Sequence, residues 1–294
     1  MIIKKLKQYH FRNLRESSIE FDKNVSLFIG NNGQGKTNIL EAIYVALNGK
    51  SFRPGKMEHL VCKNEKLGFV ELDIVQGDLC EKVKLELKEA SKKTYLNAKT
   101  CSSQKIQAQF PLVLFSPESL MSIKEGPELR RNLVDDLLVS HHPQNIQLLA
   151  DFAKALKTRN KLLKDHLAEK IHSQQFYDVI SSLDQSYLPL AAKLSSQRIQ
   201  ALKGLEEDFC QATQFILDLK NVDIALDYFI SGHSALHWGD KEIYYALLKR
   251  REQLEQAEKD SGTTLFGPQR HDIQFLFNQE DARYYCSQGQ QRAL

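Results

Sequence analysis

The residues best equipped for chemistry run from Gly30 to Thr37: Gly30-Asn31-Asn32-Gly33-Gln34-Gly35-Lys36-Thr37. They match G-x-x-x-x-G-K-[ST], in which glycines let the backbone curl until its N–H groups converge on the α- and β-phosphates of a nucleotide. The next helix would add its positive end, Lys36 would reach the β- and γ-phosphates, and the Thr37 hydroxyl would ligate Mg2+. ATP, or a close relative, and Mg2+ are the cofactors this loop predicts. A glycine-rich turn arising by chance is the competing reading. The matched positions and both flanks weigh against it, with an apolar strand-like run before the loop and an amphipathic helix after it.

Those flanks belong to a readable order of elements. The start, Met1-Ile2-Ile3-Lys4-Lys5-Leu6-Lys7, reads as a first strand and not as a cleavable leader, which points to the cytoplasm. The run Val25-Ser26-Leu27-Phe28-Ile29 predicts a buried strand, and Leu40, Ile43, Tyr44 and Leu47 predict the helix. Alternation through Val70, Leu72 and Ile74, a turn at Gln76-Gly77-Asp78, and alternation through Val83, Leu85 and Leu87 predict a hairpin over 68–88, with a third piece around Tyr95. The continuous run 111–115 reads as a strand covered on both faces, and Ser116-Pro117-Glu118 as the start of a helix.

From 128 to 217 the leucine and phenylalanine spacing is helical with few breakers, which predicts two or three long helices. A strand through Val222, Ile224, Leu226 and Tyr228, a charged helix over 241–258, and a strand through Ile273, Phe275 and Phe277 follow. The expected organisation is therefore an ATPase lobe at 1–127, an inserted helical subdomain at 128–217, and a return to the head at 218–294.

Composition excludes little beyond the membrane. No apolar run approaches the roughly 20 residues of a spanning helix. Cys62, Cys80, Cys101, Cys210 and Cys286 have no Cys-x-x-Cys pairing, so reduced thiols are expected in preference to disulfides or zinc. The net charge of +3 permits a nucleic-acid partner without demanding one, because a local basic face matters more than the total. Lys92-Lys93 and Lys99 read as guards of an exposed sheet edge, Arg130-Arg131 as a solvated helix face unless a family role applies, and His141-His142 as a loop.

A second motif, Ser287-Gln288-Gly289-Gln290-Gln291-Arg292, reads by itself as a polar turn before a helix. Beside a phosphate loop it resembles the signature segment of ABC-type ATPases. There Ser287, Gly289 and Gln290 would offer a hydroxyl and N–H groups to a γ-phosphate.

Further matches run along the chain: Phe11-Arg12-Asn13-Leu14, Gly30 to Ile43, Ser51-Phe52-Arg53, Phe115-Ser116-Pro117-Glu118, Gly126-Pro127 with Arg130-Arg131, Arg159-Asn160, and Gly262-Thr263-Thr264 with Gly267-Pro268. Together they resemble the SMC-like ABC ATPases and, within them, the RecF family. The resemblance implies an α/β fold, a P-loop ABC-type ATPase head with an inserted α-helical subdomain. It also implies an ATP-dependent homodimer that binds duplex DNA, gaps and junctions, and that works with RecO and RecR to help load the RecA recombinase.

Two departures stand out. Gln269 and His271 occupy positions where the family usually has His and Asp. The family also continues past the signature helix to a strand ending in paired acids, the Walker B segment. No counterpart occurs before Leu294, so the sequence reads as a C-terminally shortened member whose ATP hydrolysis is in doubt.

An ATPase subunit of a membrane transporter shares both motifs, but the inserted helices and the Asn31-Asn32-Gly33 loop argue against it. A chromosome-organising SMC protein would need far more heptad sequence than 128–217 supplies.

Overall fold

The computed structural model describes residues 1–22, 24–53, 55–88, 91–115, 126–219 and 222–293. They form two compact units, Met1–Leu114 and Phe115–Leu294.

The first unit is a six-stranded antiparallel sheet with two helices. Its strands are β1 (Ile2–Phe11), β2 (Leu14–Glu20), β3 (Leu67–Gln76), β4 (Leu79–Lys88), β5 (Ser91–Leu96) and β6 (Lys99–Cys101), in the order β2-β1-β3-β4-β5-β6. Alternation decides its faces. Leu6, Val70, Leu72, Ile74, Val83, Leu85 and Leu87 point inward and are fully buried. Their neighbours carry a charge ladder on the other face, where Lys82 lies 3.3 Å from Glu71 and 3.5 Å from Asp73. Helix α1 (Lys36–Asn48) shares the inner core through Ala42, Val45, Ala46 and Leu47. Beyond α1 the chain returns through β3 to α2 (Ser103–Gln109).

Lys92, Lys93 and Lys99 are all exposed, and Lys92 also donates to the Gly49 carbonyl at the C-terminal end of α1, where a cation is favoured.

Two expected strands do not form. Residues 25–29 and 111–115 join neither sheet, and Val25, Leu27, Ile29, Val113 and Phe115 are exposed. Apolar residues report a tendency to be covered, but a strand exists only where a second backbone accepts and donates its hydrogen bonds. Among the described residues nothing pairs with either run. The helix expected after Ser116 lies outside the described residues.

The second unit begins with α3 (Pro127–His141), α4 (Asn145–Leu167) and α5 (Ser173–Leu217). It continues through β7 (Ile224–Ile230), β8 (His233–Ser234), α6 (Asp240–Ser261), β9 (Asp272–Phe277), β10 (Glu280–Asp281), α7 (Ala282–Tyr285) and α8 (Gln288–Ala293). Its antiparallel sheet has the order β10-β9-β7-β8. Leu194, Ile199 and Leu202 of α5 share a core with Leu226, Tyr228 and Ile273 of the sheet. No helix among the described residues is long and apolar enough to cross a membrane.

Arginines tie this unit together from inside. Arg159 reaches Asp184 at 2.8 Å, Glu258 at 2.7 Å and the Thr264 hydroxyl at 3.0 Å, and so joins three helices. Arg198 forks onto Asp135 at 2.8 and 2.9 Å and donates to the Pro268 carbonyl.

The solvated reading of Arg130-Arg131 fails. Arg130 is 1% exposed and forks onto Asp272 at 2.8 and 3.0 Å, while Arg131, half-buried, donates to the His271 carbonyl at 2.7 Å. Helical spacing alone did not reveal that β9, over 130 residues downstream, supplies the partner.

Gly267 has φ +111°, and a Cβ there would collide with the Tyr187 hydroxyl, so only glycine fits. The two departing positions are packed beside it. Gln269 donates to the Phe266 carbonyl at 2.7 Å, and His271 is fully buried against the Tyr228 hydroxyl at 2.9 Å.

Candidate nucleotide-binding site

The loop of Gly30 to Thr37 opens into the first turn of α1, and Gly35 makes that junction possible. Its φ is +92°, and a Cβ would come within 2.8 Å of the Leu14 side chain. Both facts demand glycine. Helix α1 starts without a side-chain cap and without an acid in its first turn. Its leading N–H groups and its positive dipole end are therefore left for an anion.

Lys36 folds back over the loop and donates to the carbonyls of Gly30 and Asn31, both at 2.7 Å. Phosphate oxygens would have to replace these acceptors, and their negative charge makes them the better partners for an ammonium. Asn31, Asn32, Gly33 and Gln34 are exposed, as is Thr37, whose hydroxyl is free to reach a cation held by the phosphates. The residues present fit a nucleoside triphosphate.

Behind the loop lies a polar cluster that motif reading used only for resemblance. Glu41, one turn into α1, is fully buried. It accepts from Arg12 at 3.0 and 2.5 Å, from the Ser51 hydroxyl at 2.5 Å and from Arg53 at 3.3 Å. Burial pushes this carboxyl up, but the hydrogen bonds from Arg12 and Ser51 and the charges of Arg12 and Arg53 outweigh it and hold it below its ordinary range. Arg53 also donates to Asn38 at 2.9 Å, Asn38 to Asn13 at 2.6 Å, and Asn13 to the Gly33 carbonyl at 3.2 Å. The one available signal was an acid within an otherwise apolar stretch of helix, Leu40-Glu41-Ala42-Ile43.

The signature-like segment lies in the second unit, at the start of α8. The Ser287 hydroxyl accepts the Gln290 N–H at 3.3 Å, and the Gln290 side chain accepts the Ser287 N–H at 2.8 Å. This reciprocal pair is a capping box. Ser287 and Gly289 are exposed, so both remain accessible to a ligand from outside. Gln291 is buried instead and donates to the Ala282 carbonyl at 2.8 Å.

A protein-family profile described as an AAA ATPase domain matches residues 1–190. The DNA replication and repair protein RecF of Lactobacillus gasseri is 32% identical over 97% of this chain and 75% of its own length. The chain belongs to the RecF family.

The fold agrees. A solved structure of the recombination mediator protein RecF-ATP in the RecFOR pathway is 30% identical, with a TM-score of 0.89 over 99% of this chain and 77% of that one. An Smc head domain from Pyrococcus furiosus, at 14% identity and a TM-score of 0.51, shares the fold alone. The α/β P-loop ATPase head expected from the sequence is thus the fold of this RecF-family chain. Its phosphate loop, with the Arg12 and Asn13 turn beside it, lies inside the segment that the ATPase profile covers.

Proposed function

We propose that this RecF-family chain is an ATP-dependent DNA-binding protein of the cytoplasm that acts in DNA replication and recombinational repair. The observation that carries this reading is Lys36, held over an uncapped helix start by two carbonyls that a phosphate would displace. Gly30 to Thr37 hold the triphosphate, and Thr37 contributes to Mg2+. Bound ATP supplies a γ-phosphate that Ser287, Gly289 and Gln290 of a second copy meet in a two-fold dimer, so that closure reports the nucleotide state. The closed dimer binds gaps and junctions and works with RecO and RecR, the partners that family membership suggests, to help place RecA. The helices of 128–217 form an insertion in a head built from 1–127 and 218–294.

The test is DNA binding with and without ATP across a salt series, on gapped and duplex DNA. Affinity is expected to rise with ATP and to fall steeply with salt, because lysine and arginine contacts to phosphates release counterions. Lys36→Ala should weaken ATP binding roughly tenfold to a hundredfold, the worth of a charge-assisted hydrogen bond. Equal ATP affinity in the mutant, or DNA binding indifferent to both ATP and salt, would overturn the reading.

A further inference from the structure

The phosphate loop is shaped from behind. Asn13 sits at the tight turn between β1 and β2, and its side-chain amide donates to the carbonyl of Gly33 in the middle of the loop. A trans peptide is planar, with its C=O and the following N–H pointing in opposite directions. A Gly33 carbonyl tethered toward Asn13 therefore turns the N–H of Gln34 away from Asn13. The tether thus fixes the direction of one of the backbone N–H groups from which a nest for phosphate would be built.

Asn13 is in turn held from two sides. Its Oδ1 accepts from Asn38 at 2.6 Å, and Asn38 accepts from Arg53 at 2.9 Å. Its chain neighbour Arg12 adopts φ +56°, a left-handed backbone that a non-glycine residue keeps only when its surroundings over-determine it. Those surroundings are visible. The Arg12 N–H donates to the Leu60 carbonyl at 2.9 Å, its Nη1 donates to the His59 carbonyl at 2.9 Å, and its guanidinium forks onto Glu41. Both routes end on the buried Glu41 carboxylate, which also receives Arg53 and Ser51. None of these side chains belongs to the phosphate-loop pattern, yet they connect α1, the β1–β2 turn and the 51–53 segment to one loop carbonyl.

We propose that Asn13 and Glu41 are positioning residues for triphosphate binding: Asn13 aims the Gln34 N–H through the Gly33 carbonyl, and Glu41 holds Asn13 in place through Arg12 and through Arg53 and Asn38. This rests on the reading of Gly30 to Thr37 as the triphosphate site. Asn13 is exposed and carries no core packing, so its removal isolates the positioning effect from stability.

The test is a double-mutant cycle in Mg-ATP affinity on the full chain, with Asn13→Ala, Glu41→Gln and the double variant, alongside thermal midpoints and the parent and Lys36→Ala as controls. Asn13→Ala is expected to weaken ATP binding several-fold with an unchanged midpoint. The double variant is expected to bind no more weakly than the weaker single variant, because both break one tether. Where Glu41→Gln does not fold, Asn38→Ala takes its place in the cycle. Parent-like affinity in Asn13→Ala, or losses that multiply in the double variant, would overturn the positioning role while leaving the ATP site standing. A parent that does not bind ATP, or a Lys36→Ala variant that binds it as the parent does, would remove both readings.

Discussion

Arg159 of α4 and Glu258 of α6 meet through both arms of the guanidinium, Nη2 at 2.7 Å and Nη1 at 3.0 Å from the two carboxylate oxygens, with both side chains only 2% exposed. Asp184 takes the Nε at 2.8 Å, and the ring of Phe266 lies 4.8 Å from the guanidinium carbon. A charge set of this kind is weak evidence for net stability, because desolvation opposes the attraction. Removing one member is another matter.

Arg159→Met should therefore destabilise the second unit by about 3–5 kcal/mol, since it strands the Glu258 carboxylate in the interior and leaves Asp184 with Arg251 at 2.9 Å as its remaining cation. Adding Glu258→Gln should recover part of that loss by removing one unpaired charge. Urea unfolding followed by a probe in the helical unit measures both. A loss under about 1 kcal/mol for the single variant would show that water reaches the cluster.

His271 gives a pH dependence with a definite sign. Burial first, and then the charges of Arg198 and Arg131, push its pKa down from 6.5 to about 3. The Tyr228 hydroxyl lies 2.9 Å from Nδ1, and the buried ring is neutral. A depressed folded pKa means that the unfolded chain binds the proton first. Stability is whole above pH 6.5 and declines as pH falls toward 3. Replacing the ring with one that does not titrate, His271→Asn, should flatten the thermal midpoint across that window. A parent and variant with parallel pH profiles would refute it.

The exposed start of α8 gives a prediction about assembly. Ser287→Arg removes the hydroxyl of the capping box and puts a long cation where a second copy would bring its nucleotide. ATP binding at Gly30 to Thr37 should persist, while ATP-dependent dimers should be lost. Sedimentation with and without ATP decides the point. A variant that dimerises with ATP as readily as the parent would take Ser287 out of the interface.

Much of the fold was legible because its cause is local. The hairpin over 68–88 declares itself by period-two alternation around Gly77, and β3 and β4 pair in the register that this turn sets. The three helices between Pro127 and Leu217 follow from apolar spacing, and the phosphate loop from residue types that few other structures require.

Tertiary structure decided what depends on a partner distant in sequence. The runs at 25–29 and 111–115 have strand composition, yet composition supplies no second backbone, and they remain unpaired. Helical spacing reads Arg130 as solvated and gives no partner for Arg159 or Arg198, yet each is buried because a carboxylate from another element meets it: Asp272, Glu258 with Asp184, and Asp135. Asn13 and Gly33 stand twenty residues apart, and no periodicity links them. The chain alone specified which residues could bind a phosphate and which segments repeat with helical or strand period, since both are properties of neighbours along the backbone. Which charges are dry, which strands are paired and which side chain aims the loop were decided only by folding, because burial and hydrogen bonding are relations between surfaces that the fold brings together.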